Sequence, residues 1–271
     1  MHALFTHPAV QAILAPFLVA LLTAELLQRL RLSGLAIIAG FALTVYLLHG
    51  FSYVPLTGTR KIIWLGIASG LIAIPLSLIN TSLWRPVLTV LAAGSVVWVT
   101  LHVLMQHSLP IALQWGAGCA LYVGWLVYWM DDLQDHPVRA ASAGMALGLG
   151  TGATLFIAGA LLLGKLDLAV GSAALAYLFI MFVSNSHLSC GRTFTLPLAI
   201  ITSLSGSLAV LSTKLPWYTL LPLAIIPLAA KLPASDKSPV WIQATLLTTA
   251  TLLCAVAAAY LSWRLYGWSA F

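Results

Sequence analysis

Long apolar runs separated by short polar punctuation fill this chain from one end to the other. Each run approaches the roughly 20 residues that a helix rising 1.5 Å per residue needs to cross hydrocarbon. The pattern predicts spans over residues 9–30, 33–49, 60–79, 84–105 and 111–129, and then over 138–164, 166–183, 193–211, 216–232 and 239–266. The fold class is therefore an all-α polytopic membrane protein of about ten transmembrane helices, with both termini on one side. Trp84, Trp115, Trp129, Trp217, Trp241 and Trp263 all fall at predicted ends, where the amphipathic indole ring is favoured at headgroup depth. Two connections read as tight turns, Arg31-Leu32 and Gly164-Lys165-Leu166-Asp167, so the spans they join should be antiparallel neighbours.

The polar punctuation is densest near the middle, in Asp131-Asp132-Leu133-Gln134-Asp135-His136-Pro137-Val138-Arg139, which holds three of the six acidic residues. This stretch divides the chain into a first membrane half, 1–130, and a second, 140–271, joined by an acidic connection, 131–139. An odd number of spans per half would invert one half relative to the other. At an offset of 132 residues Arg60 matches Arg192, and a further shift of four aligns Ser69-Gly70 with Ser205-Gly206. The plainer alternative is the resemblance that leucine-rich helices share by chance.

Composition agrees with the pattern. The chain is 61% apolar and 7% charged with a mean hydropathy of +1.03, whereas about a quarter of the residues in a soluble domain are charged. Its net charge of +6 comes from Lys and Arg scattered singly or in pairs, which excludes a nucleic-acid arm. Connections after odd-numbered spans carry seven of these cations and the opposite side five, a margin that places the odd connections inside and both termini outside. Cys119 and Cys254 lie in apolar runs and Cys190 in a connection, so free thiols are expected. Residues 1–8 lack a basic leader, so the first run is expected to remain as a span. Compact connections suggest a bacterial inner membrane, with the lipid bilayer and other membrane subunits as the partners to expect.

Within the spans, Glu25 and Arg29 are spaced to pair on one helix face. Gly144, Gly148 and Gly152 form a GxxxGxxxG stripe that lets a neighbouring helix approach closely, which predicts a central, buried span 6. Pro222 and Pro227 predict a kinked span 9. Ser69 and Gly70 in span 3, and Thr202, Ser203, Ser205 and Ser207 in span 8, are candidates for lining a cavity, because hydroxyl-rich helix at depth survives where it meets water or protein. The same residue types also serve ordinary helix packing. Arg60 and Arg192 each open a span, where they would either snorkel to the interface or attract an anion beside a helix N-terminus. His102 lies one turn before the end of span 4, as a hydrogen-bond partner or a proton relay. His49, His107, His136 and His187 also lie near predicted ends, without metal-ligand spacing.

If span 5 continues for one more helical turn, Asp131 and Asp135 share a face and could hold Mg²⁺ through their oxygens. The DDxxD pattern of Asp131, Asp132 and Asp135 resembles the aspartate-rich motif of membrane prenyltransferases of the UbiA type. That resemblance implies a magnesium-dependent reaction on an isoprenoid diphosphate and a second aspartate motif in the other half, where this chain has only Asp236 beside Lys237. No P-loop, GxSxG, HExxH or dinucleotide fingerprint occurs in a suitable context. Three functions follow as expectations: a small-solute permease without a cofactor, a non-catalytic subunit packing through the glycine face, or a magnesium enzyme on a lipid or isoprenoid.

Overall fold

Hydrocarbon offers no partner to a backbone amide, so an apolar run in a bilayer satisfies its own N–H and C=O groups as a helix. The computed structural model describes residues 7–30, 32–48, 50, 55–78, 83–185, 188–213, 215–233 and 239–266, and among them every predicted span is helical. The elements are α1 (Val10–Leu27), α2 (Ser33–Leu48), α3 (Gly58–Leu78), α4 (Trp84–Leu104), α5 (Leu109–Asp132), α6 (Pro137–Ile157), α7 (Leu161–Ser184), α8 (Arg192–Ser212), α9 (Trp217–Ala229) and α10 (Val240–Tyr266). Eight are long and apolar enough to cross a membrane; α2 and α9 are shorter. His49, His187, Arg31, Asp236 and Lys237 lie outside the described residues.

The first turns of α1 are a π-helix, Val10–Leu14, with a local cause. There the amide of Ala15 bonds Val10, so Gln11 would need the amide of Pro16, which has none. The hydroxyl of Thr44 on α2 donates to the Gln11 carbonyl instead, at 3.2 Å. A second departure lies at the end of α1, where Gln28–Leu30 tightens into a 3₁₀ turn. That turn changes the angle between Glu25 and Arg29, which stay exposed and form no ion pair with each other, so the expected pairing is corrected.

Three helices make the centre. Burial covers 94% of the apolar window of α8, 78% of α6 and 72% of α7, against 28% of α5 and α10. The outer helices present Leu18, Leu22, Leu91, Leu121, Leu253 and Val256 at their surface, an exposure that suits lipid and no aqueous phase. The glycine stripe accounts for the position of α6. A Cβ on Gly148 would lie 2.4 Å from the backbone of Gly171 on α7, and one on Gly152 would lie 2.7 Å from the Leu168 amide. Gly144 meets Leu198 and Phe194 of α8 instead, so the face expected to bind another chain is filled by α7 and α8.

Exchanging the two five-helix halves maps the packed pair α1·α2 onto α6·α7 and α4·α5 onto α9·α10. It also maps α2·α7 and α3·α8 onto themselves. Among the described residues, however, α6 packs along α10 without a comparable α1·α5 contact, and α1 packs on α7 without a comparable α2·α6 contact. The halves share hairpins and differ in their first helix, because the glycines draw α6 inward and α1 has no such stripe.

The turn between α6 and α7 corrects the predicted boundary. Helix α6 ends at Ile157, and Gly159 adopts φ +83°, a left-handed conformation that glycine reaches without strain. Ala158-Gly159-Ala160 carries no polar side chain, so hydropathy passes over it. Gly164, Lys165, Leu166 and Asp167, read from the sequence as a turn, are therefore inside α7.

At the opposite end of α7, Tyr177 holds the connection to α8. Its hydroxyl donates to the Ser189 carbonyl at 2.7 Å, the Ser33 hydroxyl donates to the same oxygen at 2.7 Å, and its ring packs on Phe194. Tyr177→Phe should lower stability by only about 0.5–1.5 kcal/mol, because Ser33 still satisfies the Ser189 carbonyl. Adding Ser33→Ala should cost more than the sum of the two single changes. Thermal unfolding of the four proteins in detergent measures the coupling.

Candidate functional site

The acidic stretch is not a loop. Asp131 and Asp132 form the last turn of α5, and Leu133, Gln134 and Asp135 follow as a turn before His136, which takes φ −118° and ψ 82° ahead of Pro137. The helix stops too early for Asp131 and Asp135 to share its face. Asp131 is buried and Asp135 exposed, which corrects their expected alignment.

The partner of Asp131 is Arg192. Its Nε donates to Asp131 Oδ1 at 3.0 Å, with the two side chains 4% and 3% exposed, and its Nη1 reaches the Leu76 carbonyl on α3 at 3.4 Å. Asp132 looks the other way. It accepts from Arg85 of α4 at 2.5 Å and from Lys231 just beyond α9. Arg85 also stacks on Tyr128, and Lys231 lies over Trp129. Gly191 donates its amide to Gln134, tying the α7–α8 connection to the turn after α5. At this membrane face five helix ends are thus clasped around two adjacent carboxylates. Cys190 is buried beside them, and burial, reinforced by the nearby Asp135 charge, raises its thiol well above the ordinary value. All three cysteines are free.

Toward the other face, a cavity of about 460 Å³ lies between α5, α8 and α9, lined by Gln114, Trp115, Cys119, Tyr122, Trp217 and Leu220 among others. The Tyr122 ring lines it, yet the Tyr122 hydroxyl is buried without a hydrogen-bond partner, near Gly206 of α8. Within electrostatic reach of Tyr122 is Asp167, fully buried with neither carboxyl oxygen hydrogen-bonded. Ser205 approaches the Asp167 carboxyl, and Ser207 the Cys119 thiol, without reaching hydrogen-bond geometry, and both hydroxyls are unpartnered. A buried polar group without a partner costs free energy and calls for an explanation. Here four such groups, from α5, α7 and α8, gather beside one cavity.

The remaining candidates are distributed as follows. Ser69 is buried and donates to the Gly66 carbonyl of its own helix at 2.7 Å, while Gly70 receives the Ile38 side chain, so both serve packing of α3 on its neighbours. Thr202 and Ser203 donate to carbonyls of α8 itself. Only Ser205 and Ser207 of that group reach the polar cluster. The cluster lies toward α5 and α7, and the α3 side of α8 is filled, with Ile201 seated against Gly66. Arg60 donates to the Pro55 carbonyl at 2.8 Å at the opposite face from Arg192, so the two arginines do not converge. His102 is exposed on α4. Among the described residues no three His, Cys, Asp or Glu side chains gather as a metal site.

Asp167 and Tyr122 were not singled out from the sequence. The signal for Asp167 is Gly159, which ends α6 and places the next acidic residue within a helix; Tyr122 gives none beyond being one of five Trp and Tyr residues between 111 and 129.

These observations define an all-α polytopic membrane protein whose central helices carry an unsatisfied polar cluster. Comparison with known protein families and with characterised proteins finds no match to the sequence, so the function is argued from the site.

Proposed function

We propose that the protein is a small-solute permease whose path runs from the cavity between α5, α8 and α9, past Tyr122, into the polar cluster of Asp167, Ser205 and Ser207. The observation that carries this reading is the juxtaposition of a cavity near one membrane face with unpartnered polar groups beside it, while the other face is clasped by ion pairs. Alternating access requires such an asymmetry: one face admits solute while the other is shut. The clasp of Asp131, Asp132, Arg85, Arg192 and Lys231 then acts as the gate of the closed face. A cavity of this volume lies in the range of small-molecule sites, and its aromatic walls with Gln114 as a polar group suit a solute with an apolar body. By the cation count, the face nearer the cavity is the outer one.

A panel of small solutes screened for thermal stabilisation and for uptake into proteoliposomes tests the reading. A true ligand at one hundred times its Kd should stabilise the protein by about 2.7 kcal/mol. Tyr122→Ala should weaken that response, while Arg60→Ala, far from the gate, should leave it intact. Absence of both stabilisation and uptake across a broad panel would sink the proposal.

A further inference from the structure

Asp167 is the seventh residue of α7, about 9 Å along the helix from its first residue. An ionised carboxylate here would be cut off from water with only the nearby Ser205 hydroxyl as a donor, and three observations show that nothing nearby supplies the missing charge. Among the described residues it forms no ion pair. Lys165, two residues earlier, projects from the opposite side of the helix, where it borders an apolar recess with His7, Pro8 and Phe156. The helices packed on α7 bring no compensating cation: Arg139 of α6 and Arg192 of α8 stand at the far, clasped ends, as do Glu25 and Arg29 of α1. On α10, Arg264 lies in the exposed last turn and Cys254 and Tyr260 are not cationic side chains; on α2, Tyr46 is exposed. The titratable groups that do face Asp167 are acids, Tyr122 and, near it, Cys119. Such a site resolves its charge by taking a proton, the smallest cation and the one that needs no coordination shell.

We infer that Asp167 is a proton-binding site, loaded and unloaded through the cavity when Tyr122 moves aside, so that the solute path coincides with a proton path. This rests on the permease reading only for its purpose. The proton site itself follows from the unpartnered carboxyl, the hydroxyls of Tyr122 and Ser205 near it, and the adjoining cavity. With the Tyr122 ring in place the carboxyl is sealed as the neutral acid. Displacement of the ring admits water, which accepts the proton and solvates the carboxylate, and the Ser205 hydroxyl then becomes a donor to the anion.

The test uses the full-length protein in lipid nanodiscs and does not require a known solute. Infrared difference spectra of wild type against Asp167→Asn should contain a protonated carboxyl band at neutral pH, shifted by exchange into D₂O and lost as pH rises, about tenfold per pH unit beyond the midpoint. A wild-type spectrum without that band at neutral pH overturns the inference, and loss of the band on adding Na⁺ at fixed pH assigns the site to a metal cation instead. Dicyclohexylcarbodiimide, which attacks protonated carboxyls from an apolar phase, supplies a second readout on wild type alone if Asp167→Asn does not fold. Asp167 should be modified, more slowly at high pH, and several-fold faster in Tyr122→Ala. An equal rate in Tyr122→Ala would remove Tyr122 as the barrier. A titrating band in a protein that moves no solute would preserve the proton site and refute the permease.

Discussion

Arg192→Ala should destabilise the protein by about 3–5 kcal/mol, the usual consequence of leaving one charge of a buried pair without its partner. The guanidinium and the Asp131 carboxylate are both almost fully buried, 3.0 Å apart, at the junction of α5, α3 and α8. Arg192→Lys should recover only part of the loss, because one ammonium cannot reach Asp131 Oδ1 and the Leu76 carbonyl in the two fixed directions that a guanidinium provides. Replacing both partners by apolar residues, Asp131→Leu with Arg192→Met, should be far milder than either single change, since it removes the desolvated charges together. Asp132→Asn, by contrast, should cost about 1 kcal/mol or less, because Asp132 and its partners Arg85 and Lys231 are about a quarter to a third exposed and water screens them. Reversible unfolding in mixed detergent and denaturing micelles ranks the four proteins. A mild Arg192→Ala with a severe Asp132→Asn would invert the assignment of the principal clasp. If the clasp also gates a path, the apolar double variant should remain folded and close that face less tightly, which accessibility of the adjacent, normally buried Cys190 to a maleimide would reveal.

Gly148→Leu should be as damaging, by about 3 kcal/mol or more, for a steric reason. Even a methyl group at this position would stand 2.4 Å from both the amide and the Cα of Gly171, and the obstacle is backbone that no rotamer change can move. Helices α6 and α7 would have to separate along their whole contact, forfeiting the close packing that holds helices together where lipid supplies no hydrophobic drive. Gly148→Ala should already be destabilising, whereas Gly94→Ala on α4, with open space around the new methyl, should be neutral or stabilising by a few tenths of a kcal/mol. Comparing the two alanine variants by thermal unfolding separates loss of close approach from the general preference of helices for alanine. Equal effects would mean that the α6·α7 contact is plastic.

Much of the architecture is legible in the pattern of residues. Ten apolar runs are ten helices among the described residues, and Gly148 and Gly152 of the glycine stripe lie where the α7 backbone comes close to α6. These features are local or periodic: hydropathy, helix length and the absence of side chains every fourth residue act through general rules that need no knowledge of a partner. Boundaries were less legible where punctuation is apolar. Ala158-Gly159-Ala160 ends α6 through backbone conformation alone, and misplacing it turned Asp167 from a buried acid into a turn residue.

The chemistry depended on which residues meet. Asp131 and Arg192 are 61 positions apart, Asp132 and Lys231 99 apart, and nothing in either neighbourhood distinguishes a carboxylate bound for a guanidinium from one bound for a metal or for water. Asp167 acquires its character from what fails to meet it. Its isolation is a property of the α5, α7 and α8 surfaces taken together, and a linear pattern records the presence of a charge but not the absence of its counter-charge. Membrane residence and helix number thus follow from the one-dimensional distribution of apolar residues, since the bilayer acts on each segment separately. The clasp, the cavity and the unpaired acid arise from packing, which acts on pairs of segments and sets the solvation and partners of every buried polar group.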